Sequence, residues 1–320
     1  MAGRWLSTRH LCERRAWWSK RGELLYDGLS VERNLSMVRD ALIGRRKWLA
    51  SAARFAASSA VLGRLSANQG GLLPLHTTGL DHLSITVPDS QKAAAFYGPI
   101  FDPQVFHERT GVQRFYVRLG SAYIALGPQP NATAYIDHIA AAVVDFVEAD
   151  FGSAQTKAQI TAAGLAAPAG VLPMLSDPDN LRLQLVNATH GLFDTLMPGG
   201  RVTTEPPAFT PIGLDHIMVS VTDVEKSAAH YRKLFGPEAA RSDHGKRVWF
   251  RLANSRLGLE AAPAGQKPGF TRFCVKAADF NRGAAIAKLQ QLGIGAEAGT
   301  EKGSVRFTDL NNLPVEVVAR

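Results

Sequence analysis

The sequence predicts an α+β protein made of four βαβββ units that pair into two tandem domains. The strand-like segment 79–87 recurs as 213–221, and both copies begin Gly-Leu-Asp-His. A second repeat is nested in each half, because strand-like segments restart at 135–139 and at 270–275. Apolar and polar residues alternate in these segments, which is typical of half-buried strands.

Each copy of the first repeat continues from its strand into a helix. A turn follows the strand at residues 88–89 and at 222–223. The helical stretches that come next end at the Gly-Pro pairs 98–99 and 236–237. Glycine followed by proline is a common stop signal for a helix, because neither residue continues it well. These elements form the βα part of each unit.

The remaining strands also occur in matched copies. Segment 114–119 corresponds to 247–252, and both alternate in polarity. Segments 177–185 and 309–317 each open with an Asp/Asn turn and close as an alternating strand. The body is therefore a chain of four units of roughly 50–60 residues each.

Composition divides the chain into four segments. We assign residues 1–75 to an N-terminal extension, 76–196 to the first domain and 211–320 to the second. Residues 197–210 are rich in Gly, Pro and Thr and predict a linker. The two domains are called the first half and the second half below.

The N-terminal extension is similar to a bacterial twin-arginine export signal. Arg45 and Arg46 precede an Ala-rich, modestly apolar run at 50–62, and small residues follow at 66–67. Met37 or Met1 is the start of such a leader. A basic amphipathic helix, a disordered tail and an organelle transit peptide remain alternatives. The favoured interpretation predicts a periplasmic or secreted protein that is a partner of the twin-arginine translocation machinery.

Charge and cysteine content exclude several other classes of protein. Residues 1–75 hold 13 Lys/Arg and 5 Asp/Glu, whereas the remaining residues hold 23 of each kind. The body has no basic cluster of the kind that binds nucleic acid, so no nucleic-acid partner is expected. Cys12 lies in the extension, and Cys274 lies in an apolar run that predicts a buried thiol.

From residue 78 to 320 the chain resembles the vicinal-oxygen-chelate superfamily. The resemblance rests on the Asp-His strand openings and on the Asp-Pro-Asp-Asn type of turn before the closing strands. That superfamily contains glyoxalase I, bleomycin- and fosfomycin-resistance proteins, and extradiol ring-cleaving dioxygenases. It implies that two units form one cupped sheet, with metal ligands on the first and last strands of the units.

In the first half, the resemblance implies His82, His138 and Gln184 as ligands of a divalent metal ion. Gln184 stands where the family usually has Glu, and Gly127 occupies a fourth position without a donor. Two imidazoles and one oxygen donor leave positions open for a substrate. The ion would be Fe, Mn, Zn or Ni, and a substrate with adjacent oxygens would chelate it.

In the second half, the same correspondence implies His216, Glu260 and Glu316 as ligands. Arg272 stands where the second histidine is expected, and a guanidinium does not bind metal. Two alternatives stay open. The His-Glu-Glu set holds an ion together with waters, or Arg272 fills that space and pairs with one of the glutamates. The second alternative gives a charged pocket without metal.

Candidate catalytic residues lie on flanking strands and turns. Tyr116 is expected in the pocket wall, and His107 and His244 are candidate acid/base groups. Each of these side chains also has a plain structural role open to it, such as core packing or a solvated turn. The family resemblance is further compatible with a homodimer.

Three hypotheses of function follow. The first is an exported metal-dependent enzyme of the glyoxalase or extradiol dioxygenase type, acting on a small oxygen-chelating molecule. The second is a non-catalytic protein that binds or sequesters a small molecule, as bleomycin-resistance proteins do. In the third, one half is degenerate and only supports the other. Gln184, Gly127 and Arg272 favour the second hypothesis, because each departs from a full ligand set.

Overall fold

The computed structural model describes residues 72–111, 113–166 and 172–320. The expected export signal lies outside these residues. The elements of the first half are β1 (Thr77–Val87), α1 (Ser90–Tyr97), β2 (Gln104–His107), β3 (Phe115–Leu119), β4 (Ala122–Pro128), β5 (Tyr135–Val143), α2 (Ala154–Ala162), β6 (Met174–Ser176), β7 (Arg182–Asn187), α3 (Leu192–Thr195) and β8 (Met197–Arg201). A short 3₁₀ turn, Glu148–Asp150, precedes α2.

The second half follows the same order through its first unit, but three strands follow the helix of its second unit, where the described residues of the first half have two strands and then α3 and β8. The elements of the second half are β9 (Pro211–Val221), α4 (Val224–Phe235), β10 (Ala240–Ser242), β11 (Arg247–Leu252), β12 (Ser255–Ala261), β13 (Gly269–Ala277), α5 (Arg282–Gln291), β14 (Ala296–Ala298), β15 (Val305–Thr308) and β16 (Pro314–Ala319). The α+β fold class predicted from the repeats is confirmed. None of the helices in the described residues is long and apolar enough to cross a membrane.

All sixteen strands join one mixed sheet. Within each unit the first strand pairs with the last in parallel, as in β1–β4, β5–β7, β9–β12 and β13–β16. The helix supplies the crossover that parallel pairing needs. The first strands of neighbouring units pair antiparallel, β1 with β5 and β9 with β13. Each half thus presents a cup. Its central strands carry Asp-His in β1, β5 and β9, whereas β13 has Thr271-Arg272 at that place.

Side chains at the N-termini of the helices fix where they begin. Asp89 accepts a hydrogen bond from the backbone N–H of Lys92 at the start of α1. Asp223 does the same for α4, with Glu225 and Lys226 as donors. These carboxylates satisfy backbone groups that have no partner inside the helix. The turns at 88–89 and 222–223 therefore set the path from each opening strand into its helix.

Strand alternation separates the core face from the cup face. In β1, the side chains of Leu83, Ile85 and Val87 are fully buried in the main core. The intervening residues, among them His82 and Ser84, line the cup. Successive residues of a strand point to opposite faces, so burying the aliphatic side chains directs the histidine to the cup.

Two buried tyrosines connect the halves reciprocally. The hydroxyl of Tyr97, at the end of α1, donates to Asp309 Oδ2 in the second half at 2.8 Å. The hydroxyl of Tyr231 in α4 donates to Asp177 Oδ2 in the first half at 3.2 Å. Both aspartates also accept backbone N–H groups of their own turns, so they fix the turns before the closing strands.

Part of the segment expected to be a linker is a strand. Met197–Arg201 forms β8 and pairs antiparallel with β2. Farther along, the N–H groups of Ala208 and Phe209 donate to the carbonyls of Pro99 and Ile100. The connection is therefore held against the first half along much of its length.

Candidate active site and its counterpart in the second half

The imidazoles of His82 and His138 face each other in the cup of the first half. Their Nε2 atoms are 3.3 Å apart, and the rings are nearly perpendicular. His82 lies on β1 and His138 on β5, two antiparallel neighbours. His82 is almost fully buried, and its ring stacks on Tyr123 at a centroid distance of 4.5 Å.

Each of these histidines is oriented by the aspartate before it in the sequence. His82 Nδ1–H donates to Asp81 Oδ1 and His138 Nδ1–H donates to Asp137 Oδ2, both at 2.7 Å. Asp137 is further paired with Arg182. With both Nδ1 atoms acting as donors, both Nε2 atoms are acceptors, and their lone pairs repel each other at this short distance. A cation between them relieves the repulsion, and carboxylate-oriented imidazoles are the usual pattern around a metal ion.

Gln184 is placed on the same face of the sheet. It pairs with Ala140 of β5, and Ala140 pairs with His82. Laterally paired residues of a sheet lie on one face, so Gln184 shares the cup with the histidines. A cavity of about 540 Å³ is lined by all three side chains. Two imidazole nitrogens and one amide oxygen fit a borderline divalent ion with open positions.

A third histidine, missed by the sequence prediction, joins the network. His190 Nε2–H donates to Asp81 Oδ2 at 2.8 Å, so Asp81 bridges His190 and His82. Burial raises the pKa of Asp81, but hydrogen bonds from the two histidines outweigh it and leave that pKa lowered. The same bond to Asp81 raises the pKa of His190, whereas burial lowers the pKa of His82.

The predicted catalytic residues are placed differently from one another. Tyr116 lines the cavity and donates its hydroxyl to Glu108 Oε1 at 2.8 Å. Burial raises the pKa of Tyr116, so its hydroxyl holds its proton at neutral pH. His107 lies outside the cavity lining, with Nδ1–H donating to the Glu108 carbonyl. His244 lies in an exposed turn with a left-handed backbone, φ 53°.

In the second half, His216 keeps the aspartate but loses the second imidazole. His216 Nδ1–H donates to Asp215 at 2.9 Å. Asp215 also accepts from Arg256 at 2.5 Å and from Arg320 at 3.1 Å. Burial alone raises the pKa of Asp215, but the bonds from His216 and Arg256 outweigh it and lower that pKa far below its usual range.

Glu260 and Glu316, the other two metal ligands predicted for the second half, are hydrogen-bonded to protein groups instead. Glu260 accepts from Arg247 Nε at 2.8 Å and from Arg272 Nη1 at 3.2 Å. Glu316 accepts hydrogen bonds from Ser304 and Thr300. The ligand atoms of His216, Glu260 and Glu316 are not gathered at one point of the described chain.

One other group of ligand-type side chains lies in the described residues. Asp215, His216 and Cys274 have ligand atoms within 4.8 Å of one another, and all three are buried. Arg256 Nη2 lies 3.4 Å from His216 Nδ1, so a guanidinium already takes the place of a cation there. Burial raises the pKa of the Cys274 thiol well above its ordinary value, which disfavours the thiolate form that metals bind.

Comparison with known proteins identifies relatives by structure only. No family model and no curated protein match the sequence. Among solved structures, the 2,3-dioxygenase LapB from Pseudomonas sp. KL28 has a TM-score of 0.56 at 14% identity, covering 77% of this chain and 93% of that one. The Mn(II)-bound glyoxalase from Novosphingobium aromaticivorans has a TM-score of 0.54 at 14% identity, with coverages of 77% and 83%.

A third similar structure is homoprotocatechuate 2,3-dioxygenase from Arthrobacter globiformis. Its TM-score is 0.54 at 15% identity, over 78% of this chain and 81% of that one. All three similar proteins are a dioxygenase or a glyoxalase, two of the classes named by the sequence resemblance. The predicted resemblance is therefore confirmed at the level of the fold.

Proposed function

From the vicinal-oxygen-chelate fold of residues 72–320, we propose that the first half holds one divalent metal ion on His82, His138 and Gln184. We further propose that the chain is a metal-dependent enzyme of the glyoxalase or extradiol dioxygenase type. Its substrate is a small molecule with two neighbouring oxygens. The leader at 45–67 supports export by the twin-arginine route to the periplasm or beyond the cell.

The opposed Nε2 atoms of His82 and His138 carry the proposal. Both lie in the cup, 3.3 Å apart, and both Nδ1 atoms are committed to aspartates. For metal–nitrogen distances of about 2.1 Å, two adjacent ligands of one ion lie roughly 3.0–3.4 Å apart. The observed separation meets that requirement without a rearrangement of either strand.

The residues around the ion have separable tasks. A bound divalent ion supplies Lewis acidity to two substrate oxygens at its open positions. Asp81 and Asp137 fix the imidazole tautomers, and His190 holds Asp81 from its other side. Tyr116 donates its one proton to Glu108, so its hydroxyl oxygen can accept a hydrogen bond from a substrate hydroxyl at the cavity wall.

A non-catalytic function is the second candidate. Gly127 offers no ligand, and Gln184 is a weaker ligand than a carboxylate because it is neutral. Two imidazoles and an amide bind a divalent ion less tightly than a set that includes an anion. These features favour a protein that binds a small molecule in the cup without turning it over.

Metal content of the full-length chain, expressed with its leader and purified, tests the first part of the proposal. We expect about one Fe, Mn, Zn or Ni per chain. The double variant His82→Ala/His138→Ala should lose that metal, because two of three donors are gone. His216→Ala is the matched control and should keep it. Equal metal content in all three proteins would contradict the assignment.

Turnover separates the two candidate functions. The metal-loaded protein is assayed with catechol and related compounds with neighbouring oxygens, before and after treatment with a chelator. Turnover that stops with the chelator and returns with metal supports the enzyme. Saturable binding of such compounds that the chelator leaves unchanged, without turnover, supports the binding protein instead.

A further inference from the structure

The second half contains a cavity of about 870 Å³, larger than the cup of the first half. Its polar wall includes Arg247, Glu260 and Arg272, which lie on β11, β12 and β13. Val224 and Pro263 contribute apolar wall. The cavity therefore combines a charged floor with space for a small apolar body.

The two arginines share a single carboxylate. Glu260 Oε2 accepts from Arg247 Nε and Oε1 accepts from Arg272 Nη1, so the triplet has a net charge of +1. The side chains of Arg247 and Arg272 are 37% and 28% exposed. Each guanidinium donates one N–H group to Glu260. Among the described residues its other N–H groups have no acceptor, so they can donate to a molecule in the cavity.

The other charged side chains of the wall have hydrogen-bond partners or oppositely charged neighbours of their own. Glu225 is bound by Arg241, and Arg306 by Glu297. Glu316 is satisfied by hydroxyl and backbone N–H donors from 300–304. Asp243 and Lys246 occupy one turn and carry opposite charges. Basic and acidic side chains are equal in number over the whole lining, so the positive charge is a local one, confined to the triplet of Arg247, Glu260 and Arg272.

The first half shows that this arrangement is not a requirement of the fold. Its residues at the matched strand positions are Arg114, Gly127 and His138. Arg114 lies 3.6 Å from Glu108, and no carboxylate stands at position 127. The second half therefore differs from the first at two of these positions. Arg272 replaces the imidazole of His138, and Glu260, which binds Arg272, replaces Gly127.

From this geometry we infer that the second half is a metal-independent binding site for a small monocarboxylate. The ligand's carboxylate accepts from Arg272 and Arg247, and its apolar body lies against the wall near Val224 and Pro263. A planar guanidinium matches a carboxylate with two parallel hydrogen bonds. The single net positive charge of the Arg247–Glu260–Arg272 triplet suits a monoanion better than a dianion such as phosphate. Glu260 brings both arginines to the cavity, but its carboxylate also competes with the ligand for their N–H groups.

Isothermal titration calorimetry with benzoate, on full-length protein treated with a chelator, tests the inference. We expect saturable binding of benzoate, with benzamide and inorganic phosphate at least about tenfold weaker. Arg272→Met should weaken benzoate binding at least about tenfold, and Arg272→Lys by less, because a charge remains but not the fork. Glu260→Gln should tighten it, since it removes the competing carboxylate.

Two control variants decide whether benzoate binds at these arginines or elsewhere on the chain. Arg282→Met removes an exposed arginine of the same half and should leave the affinity unchanged. His82→Ala/His138→Ala should also leave it unchanged, whatever that variant shows about metal in the first half. Circular dichroism checks that each variant is folded. If Arg272→Met does not fold, the benzoate affinity of Arg272→Lys is used in its place.

Several results would overturn the inference. They are no benzoate binding up to about 10 mM, tighter binding of phosphate than of benzoate, or equal binding in the Arg272 variants. Loss of binding in the His82/His138 variant would place the carboxylate in the first cup instead. None of these results bears on the metal content that tests the proposed function.

Discussion

The two cups of the molecule share a backbone register but differ in their chemistry. In both, the histidine of the opening strand donates to the aspartate before it. Asp81 is then held by His190, a neutral or singly charged ring, whereas Asp215 is held by Arg256 and Arg320, two permanent cations. In the first half, the Nε2 atoms of two imidazoles remain unprotonated acceptors. In the second half, positive charge surrounds the one imidazole.

This difference shows how one sheet can support either metal or anion chemistry. The strand pairing fixes where side chains enter the cup, but it does not fix their charge. Exchange of His138 for its counterpart Arg272 removes a ligand and adds a cation at the same place. The side chain at this one position on the second unit's opening strand therefore decides whether a cup has two facing imidazoles or only one.

Exchange of these residues between the halves should produce the largest effect. His138→Arg should reduce metal affinity by at least about a hundredfold, because it removes a ligand and places a cation beside His82. The reverse change, Arg272→His, should add no second ion, because Glu316 is occupied by Ser304 and Thr300. Metal analysis of each purified variant provides the measurement. A second ion in Arg272→His would show that position 272 alone excludes metal.

The reciprocal tyrosines should produce an intermediate effect on stability. Tyr97→Phe and Tyr231→Phe each remove a buried hydrogen bond to an aspartate, at a cost of about 1–2 kcal/mol. We expect Tyr97→Phe to cost more, because its bond is shorter, 2.8 against 3.2 Å. Urea unfolding measures both. Tyr135→Phe, at a tyrosine that is 47% exposed, is the control and should leave the free energy of unfolding unchanged.

His230, a titrating residue with no counterpart in the first half, should have the smallest of these effects, a change in how stability depends on pH. Burial lowers the pKa of His230 to about 4, with Lys233 adding to the shift, whereas the matching residue of the first half is Phe96. The unfolded chain takes up this proton near pH 6.5 and the folded chain only near pH 4. This residue's contribution to stability is therefore complete above about pH 6.5 and declines as the pH falls toward 4.

Replacement of that residue tests the difference. His230→Phe should reduce the loss of stability between pH 7.5 and pH 5 by on the order of 1 kcal/mol. The measurement is urea unfolding at both pH values. His244→Asn, in an exposed turn, is the matched control. An unchanged pH dependence in His230→Phe would show that the imidazole is solvated in the folded protein.

The repeat in the sequence predicted the strands that position the site. The segments around 79–87, 135–139, 213–221 and 270–275 all form opening strands, as β1, β5, β9 and β13. Period-two alternation also indicated which residues share a face, because aliphatic residues at alternate positions must reach the core. That placed His82 in the cup, together with its repeat partner His216 in the other half.

Other parts of the site lay beyond the reach of the sequence. His190 meets Asp81 across 109 positions of the chain. Tyr123 stacks on His82 from a neighbouring strand. In the second half, Arg320 and Arg256 contact the aspartate before the histidine instead. His190 and Tyr123 therefore have no identical counterpart in the repeat that revealed the histidines. Contacts of this kind depend on tertiary packing, which local patterning does not encode.

The reciprocal tyrosine contacts have a consequence for synthesis on the ribosome. The acceptor of Tyr97 lies 212 positions farther along the chain, in the fourth unit. A nascent chain whose first half has emerged still lacks that partner, and a buried hydroxyl without a partner disfavours the closed state. The bond from Tyr97 to Asp309 therefore forms only after the fourth unit has been made, which links this contact of the first half to the completion of the second.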